Sequence, residues 1–296
     1  MMKYDEKFKV TLLSVFAALF LTAIKFIVGI STNSLGILSE ALHSGLDLVA
    51  ALITFFAVRI ADKPADKQHN FGHGKVENFS ALIEAILLLA TCGWIIHEAI
   101  LRLTGHGEEV TVTVWSYIVV ILAIIVDLWR AGALKRVAKK YNNQAIEADA
   151  LHFSTDILSS VVVLIGLIFA QIGGKFIIAD SIAGLIVAVI VIIVSIQLAK
   201  RAIDSLLDAA PPAITKTALE ILDSNSEILG YHDLKIRSSG EGYFIMVSLH
   251  LKSELTLKQA HDISDRVERQ IKEAIKFPAT VDIHIEPEDH NNIINN

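Results

Sequence analysis

The chain of 296 residues has one cysteine, Cys92. A single thiol makes no internal disulfide, fits a reducing interior, and rules out a thiolate cluster for a soft metal. No small-residue cleavage site follows the first apolar run, so the mixed-charge start MMKYDEKFKV opens an uncleaved span and not a signal peptide. Internal repeats, low-complexity linkers and a His-rich loop are absent. There is no basic excess either, since net charge is −6. Residues 1–208 hold 17 Lys+Arg against 18 Asp+Glu, and residues 209–296 hold 9 against 14. The negative charge is thus concentrated in the C-terminal part, which disfavours nucleic acid and anionic lipid surfaces and favours cations.

Apolar residues are abundant: 53% of the chain is hydrophobic, with a mean hydropathy of +0.54. That composition indicates an α-helical, multi-span membrane protein. Six segments have spanning length, near 10–31, 34–58, 79–101, 112–134, 150–172 and 177–199. Ser181 to Ala199 contains no charge, whereas the second, third and fifth segments carry Glu40, His43 and Asp47, then Glu84, then His152 and Asp156. Basic residues from Lys3 to Lys9, Arg59 to Lys75, Arg130 to Lys140, and at Lys200 and Arg201 fall on one side of a six-span arrangement. Only Arg102 and Lys175 fall on the other, and Lys25 lies within the first span. The positive-inside rule then makes both termini cytoplasmic. Trp94, Trp115 and Trp129 fit interfacial anchors, and Asp127 is expected near the cytoplasmic end of its span. Pro211-Pro212 ends the apolar region. Beyond it, a helix over 213–224, strands over 232–237 and 243–251, a helix over 256–275 and a strand over 281–286 give the order αββαβ, a small open-faced sandwich. The predicted domains are 1–208 in the membrane and 209–296 in the cytoplasm.

Ionisable residues at membrane depth are costly and mark function by default. His43/Asp47 and His152/Asp156 repeat His-x-x-x-Asp in two separate spans, which places each pair on one helix face. Facing one another, the two pairs offer two imidazoles and two carboxylates, a four-coordinate nest suited to Zn²⁺ or Co²⁺. A pair of metal-free His–Asp ion pairs is the alternative, but it gives no reason for the motif to occur twice. Each imidazole must shed a proton before it binds metal, so proton-for-metal exchange has a physical basis. The loop Pro64–Glu77 groups Asp66, His69 and His73 beside Gly72 and Gly74, a candidate second site in the cytoplasm. Lys75 and Asp208 are candidates for a charge pair. In the C-terminal part, His250, His284 and Glu286 oppose apolar neighbours along their strands. His232 opens the first strand and His261 lies on the second helix.

Over almost its whole length the chain resembles the cation diffusion facilitator family, in particular its zinc-transporter group. The features that carry the likeness are the two His-x-x-x-Asp pairs, the FGHGKVE loop at 71–77, the LLDAAP junction at 206–211 and the histidine-bearing C-terminal part. The resemblance implies a homodimeric metal/proton antiporter with a metallochaperone-like cytoplasmic domain. By position it assigns transport to His43, Asp47, His152 and Asp156, a loop site to Asp66, His69 and His73, and a cytoplasmic binuclear site to His232, His250, His261, His284 and Glu286. His43 stands where several bacterial relatives carry Asp, which resembles the more zinc-selective members. Zinc is therefore expected as transported substrate and as a structural or regulatory ion, in a cell-membrane protein whose partners are lipid, protons and a second copy of itself. The runner-up is a broader range covering Co²⁺, Cd²⁺, Fe²⁺ and Mn²⁺. A membrane-embedded hydrolase is a different class, and no His-Glu-x-x-His motif or general base accompanies the four ligands. A sensor that binds metal without moving it is a third.

Overall fold

The structure is a computed structural model that describes residues 2–31, 35–104, 114–170, 177–240 and 242–288. Lys175 and the side chains of Lys3, Glu40 and Arg102 lie outside the described residues. Six long helices come first: α1 (Met2–Ser31), α2 (Leu35–Ala61), α3 (Lys75–Leu103), α4 (Val114–Tyr141), α5 (Gln144–Ala170) and α6 (Ile177–Leu206). Then follow α7 (Pro212–Ser224), β1 (Gly230–Ser239), β2 (Gly242–Leu251), α8 (Leu257–Ala274) and β3 (Ala279–Pro287). Among the described residues five of the six long helices are long and apolar enough to cross a membrane. The remaining one, α5, carries Glu147, Asp149, His152 and Asp156 along its first half. The chain is a multi-pass membrane protein. It divides into two compact units, residues 1–64 with 76–203, and residues 65–75 with 204–296.

In the helical unit, small residues let backbones approach, as membrane packing requires when lipid and Leu are equally apolar. Ala81 and Ala85 of α3 meet Ala148 of α5 and Leu198 and Ala202 of α6. Leu88 and Cys92 of α3 pack with Val191 of α6. A third cluster joins Val10, Val58, Leu134, Ile146 and Phe153 from α1, α2, α4 and α5. Polar side chains tie the helix ends. Lys7 pairs with Asp62 and Lys140 with Glu6. Asn143 caps α5 by accepting from the Ile146 amide at 2.9 Å and donates to Glu77 Oε1 at 2.6 Å. Only Asn142, at φ +50°, and Asn143 separate α4 from α5.

Lys7 and Arg130, counted as flanking basic residues, are buried in the helix packing. Arg130 donates to Ser14 Oγ at 2.7 Å, and its guanidinium carbon lies 3.2 Å from the Phe153 ring centre. α4 runs on to Tyr141, so Asp127 and Trp129 lie mid-helix although they stand near the end of the apolar segment. The helices outrun the apolar segments since their final turns are held by polar contacts that hydropathy cannot register.

In the second unit the sheet order is β1-β2-β3, with β1 antiparallel and β3 parallel to β2. Pro211 and Pro212 supply the α7 N-cap and first helical residue, where a missing N–H costs nothing. A capping box starts α8: Thr256 Oγ1 accepts from the Gln259 amide at 3.3 Å, and Gln259 Oε1 accepts from the Thr256 amide at 2.9 Å. Such a cap contributes about 1 kcal/mol. Ile263, Val267 and Ile271, one turn apart, pack α8 with Ala218 and Leu222 of α7 onto Ile245, Val247, Leu249 and Val281 of the sheet. The opposite face carries Arg237, Phe244, Ser248, His250, His284 and Glu286. His232 and Ile236 are four apart, so a regular strand would put both on one face. A bulge between His232 and Lys235, with Asp233 at φ +54°, switches faces, leaving His232 beside Ser248 and Ile236 in the core opposite Ile245.

Candidate metal centre

Within the helical unit α2 presents His43 and Asp47 one turn apart, and α5 presents His152 and Asp156 in the same way. His43 Nε2 lies 3.9 Å from Asp47 Oδ1 and 4.0 Å from Asp156 Oδ1. His152 Nε2 lies 3.2 Å from Asp47 Oδ1 and 3.7 Å from Asp156 Oδ2. Donor atoms of His43, Asp47 and Asp156 all fall within 4.8 Å of one another, and His152 Nε2 contacts the same two carboxylates. A tetrahedral zinc with donors at about 2.0 Å sets them about 3.3 Å apart, so modest contraction of this cluster encloses such an ion. Asp156 Oδ2 is buried with no hydrogen-bond donor among the described residues. A desolvated acceptor of that kind is stabilised by a cation.

Several further polar groups lie near these ligands. Lys25 of α1 is buried and donates to Ser44 Oγ at 2.7 Å, one residue from His43. Thr22 Oγ1 donates to the Ser44 carbonyl at 2.8 Å. Asp149 is fully buried and accepts from Ser14 Oγ at 3.0 Å. Glu84 of α3 is fully buried, accepts from Thr54 Oγ1 at 3.0 Å, and places Oε2 3.4 Å from His152 Nδ1. Glu84 stands out in the sequence as a charge inside an apolar span, but its neighbour across the helices does not.

In the second unit Asp66, His69 and His73 form a compact trio. Gly72 at φ +78° turns the loop, its amide donating to the His69 carbonyl at 2.9 Å. Asp66 Oδ1 accepts from the amides of His69 at 2.7 Å and Gln68 at 2.9 Å, which hold its carboxyl below the usual range. His73 Nε2 lies 3.5 Å from Asp66 Oδ2, and the two imidazole centres are 4.4 Å apart. Lys75 meets Asp208 at 2.9 Å and donates to the Leu206 carbonyl at 3.0 Å.

On the open face of the sheet His232, His250 and Glu286 form a third group. His232 Nε2 is 3.3 Å from Glu286 Oε2, and the His232 and His250 rings are 5.0 Å apart. His284 Nε2 reaches Glu286 Oε1 at 3.4 Å, so Glu286 stands between two imidazoles. His261 is not brought together with them. It projects from α8, in the layer across the sheet, and lies 3.6 Å from Asp265.

Comparison with known proteins covers both units. Residues 11–207 match the family model described as cation efflux transmembrane domain. Residues 210–288 match the one described as cation efflux protein, cytoplasmic domain. An uncharacterized transporter of Methanocaldococcus jannaschii, MJ0449, is 32% identical over 269 residues, 89% of this chain and 93% of its own. The cation-efflux pump FieF of Shewanella oneidensis is 30% identical over 275 residues, 93% of this chain and 92% of its own. Among solved structures, the metal-bound C-terminal domain of the CzcD transporter from Thermotoga maritima aligns with 27% of this chain and 92% of its own, at 21% identity and a TM-score of 0.26.

Proposed function

Because the chain belongs to the cation efflux family of membrane transporters, we propose that it expels zinc from the cytoplasm in exchange for protons, as a homodimer in the cell membrane with both termini cytoplasmic. The supporting observation is the nest of His43, Asp47, His152 and Asp156 within apolar helices, with contacts of 3.2–4.0 Å between imidazole and carboxylate. Two nitrogens and two oxygens suit a borderline-soft tetrahedral ion better than the hard, oxygen-loving Ca²⁺ or Mg²⁺. An imidazole or carboxylate binds metal only after losing its proton, so loading zinc releases protons and reprotonation expels zinc. Metal enters from the inward-open side, the helices rock about the site, and the more acidic exterior reprotonates the ligands. The Asp66–His69–His73 loop and the His232, His250, His284 and Glu286 face act as cytoplasmic zinc-sensing sites in this scheme.

Flux in proteoliposomes tests the reading. Zinc uptake is expected to follow an imposed pH gradient and to be abolished in Asp47→Ala and in Asp156→Ala. Transport that ignores the gradient, or that persists in either variant, overturns it. One observation favours a broader metal range: three of the four imidazole–carboxylate contacts, at 3.7, 3.9 and 4.0 Å, are wider than a zinc tetrahedron requires. Competition of Co²⁺, Cd²⁺, Fe²⁺ and Mn²⁺ against zinc flux, in the native protein and in His43→Asp, decides between the two.

A further inference from the structure

His152 has two ring nitrogens on opposite sides of its ring, and the structure gives them different neighbours. Nε2 faces Asp47 Oδ1 and Asp156 Oδ2 at 3.2 and 3.7 Å. Nδ1 lies 3.4 Å from Glu84 Oε2, and neither of these two buried atoms has a hydrogen-bond partner among the described residues. The other carboxyl oxygen of Glu84 is held by the hydroxyl of Thr54, itself fully buried on α2 two turns beyond Asp47. A buried carboxylate with one neutral donor is left well short of the solvation it lost. The His152 ring nitrogen 3.4 Å from its free oxygen is the group placed to supply it once it carries a proton.

We infer that Glu84 is a positioning residue for the intramembrane site: by accepting the Nδ1–H of His152 it fixes the tautomer that leaves the Nε2 lone pair for metal. The opposite tautomer would point an N–H at the ion and leave Glu84 Oε2 unpaired. Carboxylate–imidazole–metal chains of this kind orient the ring and raise the basicity of the bound nitrogen, and losing the outer carboxylate typically costs about 10- to 100-fold in metal affinity. Glu84 also brings α3 to a centre whose ligands all come from α2 and α5. The inference rests on the transport-site reading above and deepens it.

The test uses the full chain, with His69, His232 and His250 changed to Ala so that the other two groups are silent, and Zn²⁺ alone as titrant displacing Co²⁺ from its visible absorption. In that background Glu84→Leu is expected to bind zinc about 10- to 100-fold more weakly, while Glu84→Gln recovers most of the loss. The Gln side-chain oxygen still accepts from Nδ1–H, and its amide donates to Thr54 Oγ1. Wild-type affinity in Glu84→Leu overturns the inference. A second readout needs no variant at Glu84: ¹⁵N-histidine spectra of the zinc-loaded parent are expected to show His152 protonated at Nδ1 and metal-shifted at Nε2, and a metal shift at Nδ1 overturns it. Asp47→Ala keeps the two claims apart. Should that variant retain zinc, the transport site itself is misassigned; should it lose zinc while Glu84→Leu does not, only the role of Glu84 falls.

Discussion

Asp208 shows how one residue ends a helix and fixes a junction. It follows α6 in the left-handed region at φ +61°, a conformation Asp tolerates better than most side chains. Its carboxyl lies 2.9 Å from Lys75 and 3.5 Å from Arg237. Partial burial pushes the carboxyl up, but the hydrogen bond and charge of Lys75, with the charge of Arg237, hold it below the usual range. The folded state therefore gains stability from Asp208 in full above the unfolded value, near ~3.9, and loses it as pH falls through the lower folded value. Asp208 is 43% exposed, so solvent screening leaves each pair worth at most about 1 kcal/mol. Asp208→Asn keeps a side chain that accepts positive φ and removes only the charge. Its thermal midpoint is expected to lie below wild type at neutral pH, with the gap closing as pH drops below about 4. A gap that stays constant into acid would show that the charge contributes nothing.

Whole elements add constraints that no residue reveals alone. The loop 65–75 belongs to the same compact unit as the sheet, and it lies against the β1–β2 turn. Phe71 packs edge-on to Phe244 at 5.2 Å between ring centres, and the Arg237 guanidinium lies 3.8 Å from the Phe71 ring centre. A Cβ on Gly74 would meet the Gly240 nitrogen at 2.5 Å and the Ser239 carbonyl carbon at 2.6 Å, both backbone atoms that cannot swing aside. Gly74→Ala is expected to cost about 1–3 kcal/mol in local stability. Hydrogen exchange across 65–75 should then accelerate roughly 10- to 100-fold while α8 amides keep their protection. Unchanged exchange in the loop would mean that it rests elsewhere.

The same scale separates what could be read in advance from what could not. The six apolar runs, the Pro211-Pro212 break and the αββαβ order were legible because burial writes its period into sequence. So was the convergence of His43, Asp47, His152 and Asp156, since charges within apolar runs stand out, and the spacing of each pair fits one helix face. The α4 extension to Tyr141 was hidden because its last turns carry Lys and Arg on a polar surface. The bulge after His232 depends on pairing with β2, which strand alternation alone cannot show. Glu84 was visible as an anomaly, but its partner was not, because α3 and α5 meet only in three dimensions. His261 was grouped with four other residues by resemblance, and the protomer leaves it across the sheet from them.

At the scale of the whole molecule, charge distribution and metal binding act together. Residues 209–296 carry 9 Lys+Arg against 14 Asp+Glu, so in the proposed homodimer two acidic C-terminal parts face the cost of approach. Their repulsion is screened over about 8 Å at physiological ionic strength. A divalent ion held by His232, His250 and Glu286, as proposed, would add two positive charges where that repulsion arises. Zinc should therefore draw the C-terminal parts of the two copies together, and salt should do part of the same work in its absence. Spin labels on an exposed α8 position such as Lys258, in the full-length protein, are expected to report a shorter inter-copy distance with zinc and its reversal by chelator. His232→Ala with His250→Ala should abolish the zinc response yet leave the salt response intact, because salt screens charge without needing a ligand. A zinc response that survives the double substitution would place the effect at another site, and a distance indifferent to both zinc and salt would remove electrostatics from the regulation of this transporter.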